Sequence, residues 1–271
     1  MSSLSFGKVE VVEMSQADEL LEPEPEPELV DGDATPADAS ADASASAGAD
    51  ASAEWPLRKL VQRHAELRAA GDTRPPCVLL TTGAMNPVHL GHVDMFARAR
   101  RCLEEQHGYS VLGGYISPSH EGYVLPKCEH FKQRYLPAEL RLACVRRAVA
   151  DSDWLSVGAW EARRPGGWPD YPVVVKALQA FLCGPEGSER DLSLGGNQCT
   201  VFYVCGFDHY QKCGLASGLR ASRDVSADGS QVNAEAGVVA IPRDDAPPAR
   251  TELRKLVIVR PRAIRQLLVI F

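Results

Sequence analysis

The residues best suited to chemistry run Thr81-Thr82-Gly83-Ala84-Met85-Asn86-Pro87-Val88-His89-Leu90-Gly91-His92. Gly83 lacks a Cβ, so backbone there can approach a ligand closely. Pro87 stiffens the turn that follows. His89 and His92 stand at i and i+3 of a helix start, on one face, where two imidazoles can donate to phosphate oxygens. A helix start also offers free N–H groups and the positive end of its dipole, both of which favour an anion. The bland reading is a pair of surface histidines opening an ordinary helix. A zinc pair fits less well, because the spacing is not His-Glu-x-x-His and no carboxylate ligand stands nearby.

The elements that must position this turn can be read from hydropathy. The run Cys77-Val78-Leu79-Leu80-Thr81-Thr82 reads as a short buried strand. A helix over 90–106 follows, with apolar Leu90, Val93, Met95, Phe96, Ala97 and Leu103, and it stops near Gly108. Residues 111–116 read as a second strand, followed by a long loop to Pro137 and a helix over 138–150. A short strand at 154–157, a helix over 171–181, and strands at 200–205 and 237–241 complete the alternation. Loops rich in Gly and Ser are expected near 184–199 and 217–236. Residues 55–69 read as an extra N-terminal helix joined by a linker to a domain over 76–271. The pattern predicts an α/β fold: a Rossmann-like doubly wound parallel sheet with helices on both faces and ligands at the carboxyl ends of its strands.

Charge is unevenly placed. The formal net charge is −7, but residues 1–54 hold 14 of the 36 acidic side chains and, of the 29 basic ones, only Lys8. The remainder is therefore mildly basic, which suits small phosphate-bearing substrates. It carries no dense Lys/Arg stripe interleaved with aromatics, so nucleic acid is not an expected partner. Residues 1–54 include Glu22-Pro23-Glu24-Pro25-Glu26-Pro27-Glu28 and an Ala/Ser/Asp run, a composition expected to stay disordered as an acidic, solvating tail. This segment has neither the apolar core of a secretory signal nor the acid-poor composition of a mitochondrial presequence. Eight scattered cysteines contain no Cys-x-x-Cys, which favours reduced thiols in cytoplasm or nucleus. Cys128 and His130 are two ligand types without partners, so no metal site is expected from them. No apolar run reaches the length of a membrane span.

The His-x-Gly-His arrangement resembles the signature of the cytidylyltransferase-like nucleotidyltransferase superfamily. That resemblance implies transfer of AMP or CMP from ATP or CTP to an acceptor. Later segments narrow it: Gly114-Tyr115-Ile116-Ser117-Pro118, Ser152-Asp153-Trp154 leading to Trp160-Glu161, Cys205-Gly206-Phe207-Asp208, and Thr251-Glu252-Leu253-Arg254. In this order they resemble the eukaryotic nicotinamide or nicotinate mononucleotide adenylyltransferases, over about 76–255. The resemblance implies His89 and His92 as catalytic groups stabilising the α-phosphate. It assigns Gly83, Ala84, Met85, Gly91, Gly206, Asp208, Thr251 and Arg254 to ATP. Backbone N–H groups of Gly83 and Ala84 would lie between the two phosphates, and Gly91 would leave helix surface bare for the nucleotide. Asp208 would accept from ribose hydroxyls, and Thr251 and Arg254 would hold the outer phosphates. Lys127 would reach the acceptor phosphate, and Trp160 would stack on a pyridine ring. ATP enters as a substrate with Mg²⁺ carried on its phosphates. The implied partners are small molecules, and a homo-oligomer is left open.

Several positions depart from the family pattern. Ala84 stands where a serine is usual, and Ser119-His120-Glu121 replaces Asn-Asp-type residues. No tryptophan follows Asp208 at the expected distance, and Tyr210 is a misplaced substitute. Ala249-Arg250 replaces Ser-Ser, and Arg265-Gln266-Leu267-Leu268-Val269-Ile270-Phe271 lacks the family's proline-interrupted terminal helix. Three readings follow: adenylyl transfer to a pyridine mononucleotide, cytidylyl transfer to phosphocholine or phosphoethanolamine, and an inactive nucleotide-binding regulator.

Overall fold

The computed structural model describes residues 54–183, 188, 190–225, 231–234, 236–242 and 257–259. In chain order these form α1 (Arg58–Ala69), β1 (Pro76–Gly83), α2 (Leu90–Gln106), β2 (Ser110–Pro118), α3 (Glu121–His130), α4 (Ala138–Ala148) and β3 (Leu155–Val157). After these come α5 (Trp160–Arg163), α6 (Tyr171–Leu182), β4 (Thr200–Gly206), α7 (Phe207–Lys212), β5 (Leu219–Val225), β6 (Gln231–Ala234), β7 (Gly237–Ile241) and β8 (Val257–Val259).

β1 explains the architecture. Its apolar run is unbroken because both faces are buried, not one. Cys77 and Leu79 enter one apolar cluster with Phe96, Ala99 and Leu103 of α2 and Leu142 and Val145 of α4. Val78 and Leu80 enter another with Leu60 and Leu67 of α1 and Val174, Val175 and Leu178 of α6. Helices therefore cover both faces, as the alternating pattern predicts. The sheet runs β3-β2-β1-β4-β7-β8. Its first five strands are parallel, and β8 pairs antiparallel with β7. From β1 the chain winds outward to β3, then crosses to β4 on the other side of β1. Strand order thus reverses between β1 and β4, which opens a crevice at their carboxyl ends.

Two glycines of β2 let the helices approach the sheet. A Cβ on Gly113 would lie 2.3 Å from Leu60 Cδ2 and 2.8 Å from the Trp154 carbonyl oxygen. A Cβ on Gly114 would lie 2.6 Å from the Phe96 ring. Trp55 is 1% exposed and meets Tyr115 edge to face at 5.2 Å, while the Tyr115 hydroxyl donates to the Pro56 carbonyl at 2.9 Å. The N-terminal helix begins at Arg58 rather than at residue 55, and its buried side shares the core of the sheet.

Four expectations need correction. The stretch read as a long loop to Pro137 contains α3, despite the interior Pro126. Proline removes one helical hydrogen bond, but other ties hold this helix. Its first turn is capped by His120 Nδ1, which accepts from Gly122 N–H at 3.0 Å. Glu121 then accepts from the Tyr135 hydroxyl at 2.6 Å and the Ala138 N–H at 2.9 Å. The stretch near 217–236 holds an antiparallel ribbon of β5 and β6. The described part of 184–199 is not all surface: Leu192 and Leu194 are each 2% exposed. Ser193 anchors it through its carbonyl, 2.7 Å from His64 Nε2. Finally, β8 gives the sheet one antiparallel edge that the alternation does not announce. Residues 1–53, including nearly all of the acidic segment, lie outside the described residues, as do Thr251 and Arg254. Among the described residues no helix is long and apolar enough to cross a membrane.

Candidate active site

The crevice between β1 and β4 is where the fold places its reactive side chains. β1 ends at Gly83, and two residues later Met85 takes φ +47° with its side chain 3% exposed. A left-handed backbone is uncommon for a residue with a Cβ. Here burial in the α2/α4 cluster anchors the side chain and holds the turn. His89 then caps α2 in extended backbone, φ −137° and ψ 171°, and His92 occupies the third helical position.

The two imidazoles are brought together, with ring centroids 3.8 Å apart. His89 backbone N–H donates to His92 Nδ1 at 3.2 Å, and His92 N–H donates to the His89 carbonyl at 3.0 Å. With Nδ1 accepting, the neutral His92 ring carries its proton on Nε2, and that N–H is the one it can offer to an anion. Burial, and next the neighbouring His89, push the His92 pKa down to about 4. Without a bound anion the ring is therefore neutral at physiological pH, with its Nε2–H available as a hydrogen-bond donor. Gly91 has a clear part in this: a Cβ there would sit 3.1 Å from His89 Nδ1 and Cε1. Its absence lets the His89 ring lie back along the helix.

Across the crevice, Gly206 ends β4 and caps α7, and Asp208 is exposed in the first turn. A Cβ on Gly206 would stand 2.6 Å from Asp208 Oδ1, so only glycine lets this carboxylate fold back over the strand end. Carboxylate oxygens held there can accept from vicinal hydroxyls.

The carboxyl end of β2 forms the third wall. Ser119 N–H donates to the Gly83 carbonyl at 2.8 Å, joining the turns that follow β1 and β2. Beneath them lie Glu161, 3% exposed, and Arg141, 0% exposed. Glu161 accepts from the Ser117 hydroxyl at 3.0 Å and from the Ser119 hydroxyl and His120 backbone N–H. Burial pushes its pKa up to about 7, against the opposing pull of those donors and the Arg141 charge. The folded-state pKa lies above the ordinary value of 4.5. The proton thus stabilises the fold fully below about pH 4.5, and this contribution is lost as pH rises through about 7. Glu161→Gln should therefore gain stability relative to wild type as pH climbs across that window. Urea unfolding of both proteins at several pH values checks this, and parallel curves would refute it.

Trp160 is half-buried at the edge of the α1/α6 cluster, with the Arg164 guanidinium 5.4 Å over its ring. Lys127 is exposed on α3, and its Nζ contacts its own helix, 3.2 Å from the Tyr123 hydroxyl and 5.2 Å over the Tyr123 ring. Tyr123 in turn meets Trp168 at 5.3 Å. Reading by motif passed over Arg141 and Asn86. Arg141 did leave a signal: it falls on the helical stripe of Ala138, Leu142 and Val145, where an apolar residue belongs.

Residues 80–212 match the family model described as cytidylyltransferase-like. That span runs from within β1 to the end of α7 and includes every candidate site residue that the structure describes, while Thr251 and Arg254 lie beyond it. Among curated proteins the chain is similar to the nicotinamide/nicotinic acid mononucleotide adenylyltransferase of Oryza sativa subsp. japonica. The two are 33% identical over 138 residues, which is 51% of this chain and 49% of that protein. The Arabidopsis thaliana protein of the same name is 39% identical over 130 residues, 46% of this chain and 51% of that one. Nicotinamide/nicotinic acid mononucleotide adenylyltransferase 2 of Danio rerio is 36% identical over 90 residues, 33% of this chain and 27% of that one. The matched stretches thus span from about a quarter to about half of the length of these relatives.

Proposed function

We propose that this chain transfers AMP from ATP to nicotinamide or nicotinate mononucleotide and releases pyrophosphate, a step of NAD biosynthesis. The observation that carries the reading is the paired His89 and His92 at the start of α2, after β1, with Gly206 and Asp208 at the carboxyl end of the neighbouring parallel strand β4. The similarity to proteins bearing that adenylyltransferase name supports the choice of acceptor.

In this reading ATP would enter as its Mg²⁺ complex, with the cation brought by the substrate to offset phosphate charge and no side chain of this chain assigned to hold it. The triphosphate lies on the turn after β1, with Gly83 and Ala84 contributing backbone N–H groups and Gly91 leaving room. His89 and His92 donate to the α-phosphate, Asp208 accepts from the ribose, and Thr251 and Arg254 take the outer phosphates. An acceptor phosphate oxygen attacks the α-phosphorus in line. One P–O bond forms, the bond to the β-phosphate oxygen breaks, and pyrophosphate departs with that electron pair. No general base is required, because the attacking phosphate is already ionised. Catalysis is then positioning plus stabilisation of charge.

The acceptor is assigned to Trp160, through its ring, and Lys127, through its charge. Trp160→Ala should raise the acceptor KM by roughly 2- to 30-fold, the equivalent of ~0.5–2 kcal/mol of ring stacking, while the ATP KM barely moves. Unfolding of that variant would instead make Trp160 a core residue and remove this support.

The family description favours one competing reading, cytidylyl transfer to phosphocholine or phosphoethanolamine. Purified protein incubated with Mg²⁺ and each triphosphate–acceptor pair, with pyrophosphate measured, separates the readings. ATP with nicotinamide mononucleotide should be fastest. A faster reaction of CTP with either phosphorylated alcohol would transfer the assignment to cytidylyl chemistry. Binding of ATP without turnover of any pair would make the chain a nucleotide-binding regulator.

A further inference from the structure

Arg141 is costly where it stands. A guanidinium is rarely fully buried without a paired carboxylate, yet this one is 0% exposed, and its Nη2 has no hydrogen-bond partner among the described residues. Leaving such a group unsatisfied opposes folding, and an apolar residue would suit the buried stripe of α4 better. What the side chain does instead is join turns. Its Nη1 donates both to the Ala84 carbonyl at 3.1 Å and to the Ser119 carbonyl at 2.7 Å, and its Nε donates to the Leu136 carbonyl at 2.9 Å. Ala84 belongs to the turn assigned to the nucleotide, and Ser119 to the turn after β2 on the acceptor side. Glu161 grips the second turn from the other direction, taking its Ser117 and Ser119 hydroxyls and its His120 N–H. The carboxylate thus collects the donors of that turn and the guanidinium collects its acceptor. Asn86 closes the frame: its Nδ2 donates to the Arg134 carbonyl at 2.7 Å and its Oδ1 accepts from Leu136 N–H at 2.8 Å.

We propose that Arg141 is a positioning residue for group transfer, a buried brace that fixes the separation of the nucleotide turn from the acceptor turn. The inference rests on the nucleotidyl-transfer reading above. Each turn keeps its own ligand contacts without Arg141, so each substrate alone still binds. What is lost is registration of the attacking oxygen on the α-phosphorus, and a misplacement of about 1 Å can cost ~10²-fold in rate.

The test uses the full chain with Arg141→Met, which keeps length without donors, and Arg141→Lys, which keeps charge without the planar fork. Melting temperature, the Kd for Mg²⁺-ATP alone and turnover with nicotinamide mononucleotide are measured for each. The expected result is a folded Arg141→Met protein that binds ATP within about threefold of wild type but turns over ~10²-fold more slowly, with partial recovery in Arg141→Lys. Turnover within about threefold of wild type in a folded variant would overturn the proposal, as would ATP affinity falling in step with turnover. If neither variant folds, Asn86→Ala decides, because it loosens the same frame from the opposite side. It should show the same split between turnover and ATP binding, and normal turnover would refute the brace. A wild-type protein that turns over no pair refutes the functional reading instead. In that case hydrogen exchange judges the brace. Residues 83–86 and 117–120 should lose protection together in Arg141→Lys while β4 keeps its own, and unchanged protection would overturn the brace.

Discussion

Replacing His92 with alanine should lower turnover by ~10²-fold or more while leaving the fold intact, since it removes a donor aimed where phosphate charge develops. The structure sharpens the expected form of the loss. His92 is neutral, with its pKa pushed down to about 4, and its Nδ1 is already committed to the His89 backbone. With Nδ1 so committed, its expected contribution is one directed N–H rather than a positive charge. Added salt should leave the defect of the variant almost unchanged, whereas a missing cation would show a salt-dependent one. His89→Ala should hurt similarly or somewhat less, because the His89 ring is exposed and the backbone carbonyl that takes the His92 backbone N–H survives the substitution. Pyrophosphate release by the double variant at a near-normal rate would remove the catalytic reading of this turn.

Asp208→Ala should raise the KM for ATP by roughly 30-fold, about 2 kcal/mol, the scale of a lost hydrogen bond to a charged acceptor. The acceptor KM should move little, because Asp208 stands on the strand assigned to the nucleotide. Gly206→Ala provides an independent check through geometry alone. Its new Cβ would occupy space 2.6 Å from Asp208 Oδ1 and push the carboxylate off the strand end. The same rise in ATP KM, with β4 still folded, is therefore expected from a substitution that removes no polar group. A 2′,3′-dideoxy analogue of ATP should bind both variants and wild type alike. If it instead discriminates between them as ATP does, Asp208 does not read the ribose.

Much of this protein was legible in residue order. The strand–glycine–helix succession from 77 to 106 announced the turn that carries His89 and His92, because an unbroken apolar run, a residue without Cβ and a 3.6-residue periodicity are local properties. The parallel sheet with two covered faces followed from alternation of such segments. The helix over 90–106 and the strand at 237–241 stand where periodicity placed them. Asp208 was legible by its place after Cys205-Gly206.

Other features depend on contacts between residues distant in the chain. α3 survives Pro126 because Glu121 is tied to Tyr135 and Ala138, partners that no local pattern reveals. Arg141 falls on the apolar stripe of α4, but the carbonyls it holds belong to Ala84 and Ser119, which stand 57 and 22 positions away, so no local pattern names them. Glu161 acquires its raised pKa only from burial, which is a property of the assembled core. Local sequence decided which segments could bind phosphate, since backbone geometry and side-chain type suffice for that. Tertiary structure alone decided how the turns after β1 and β2 are held relative to one another, because that relation is made by a few long-range hydrogen bonds whose strength comes from exclusion of water.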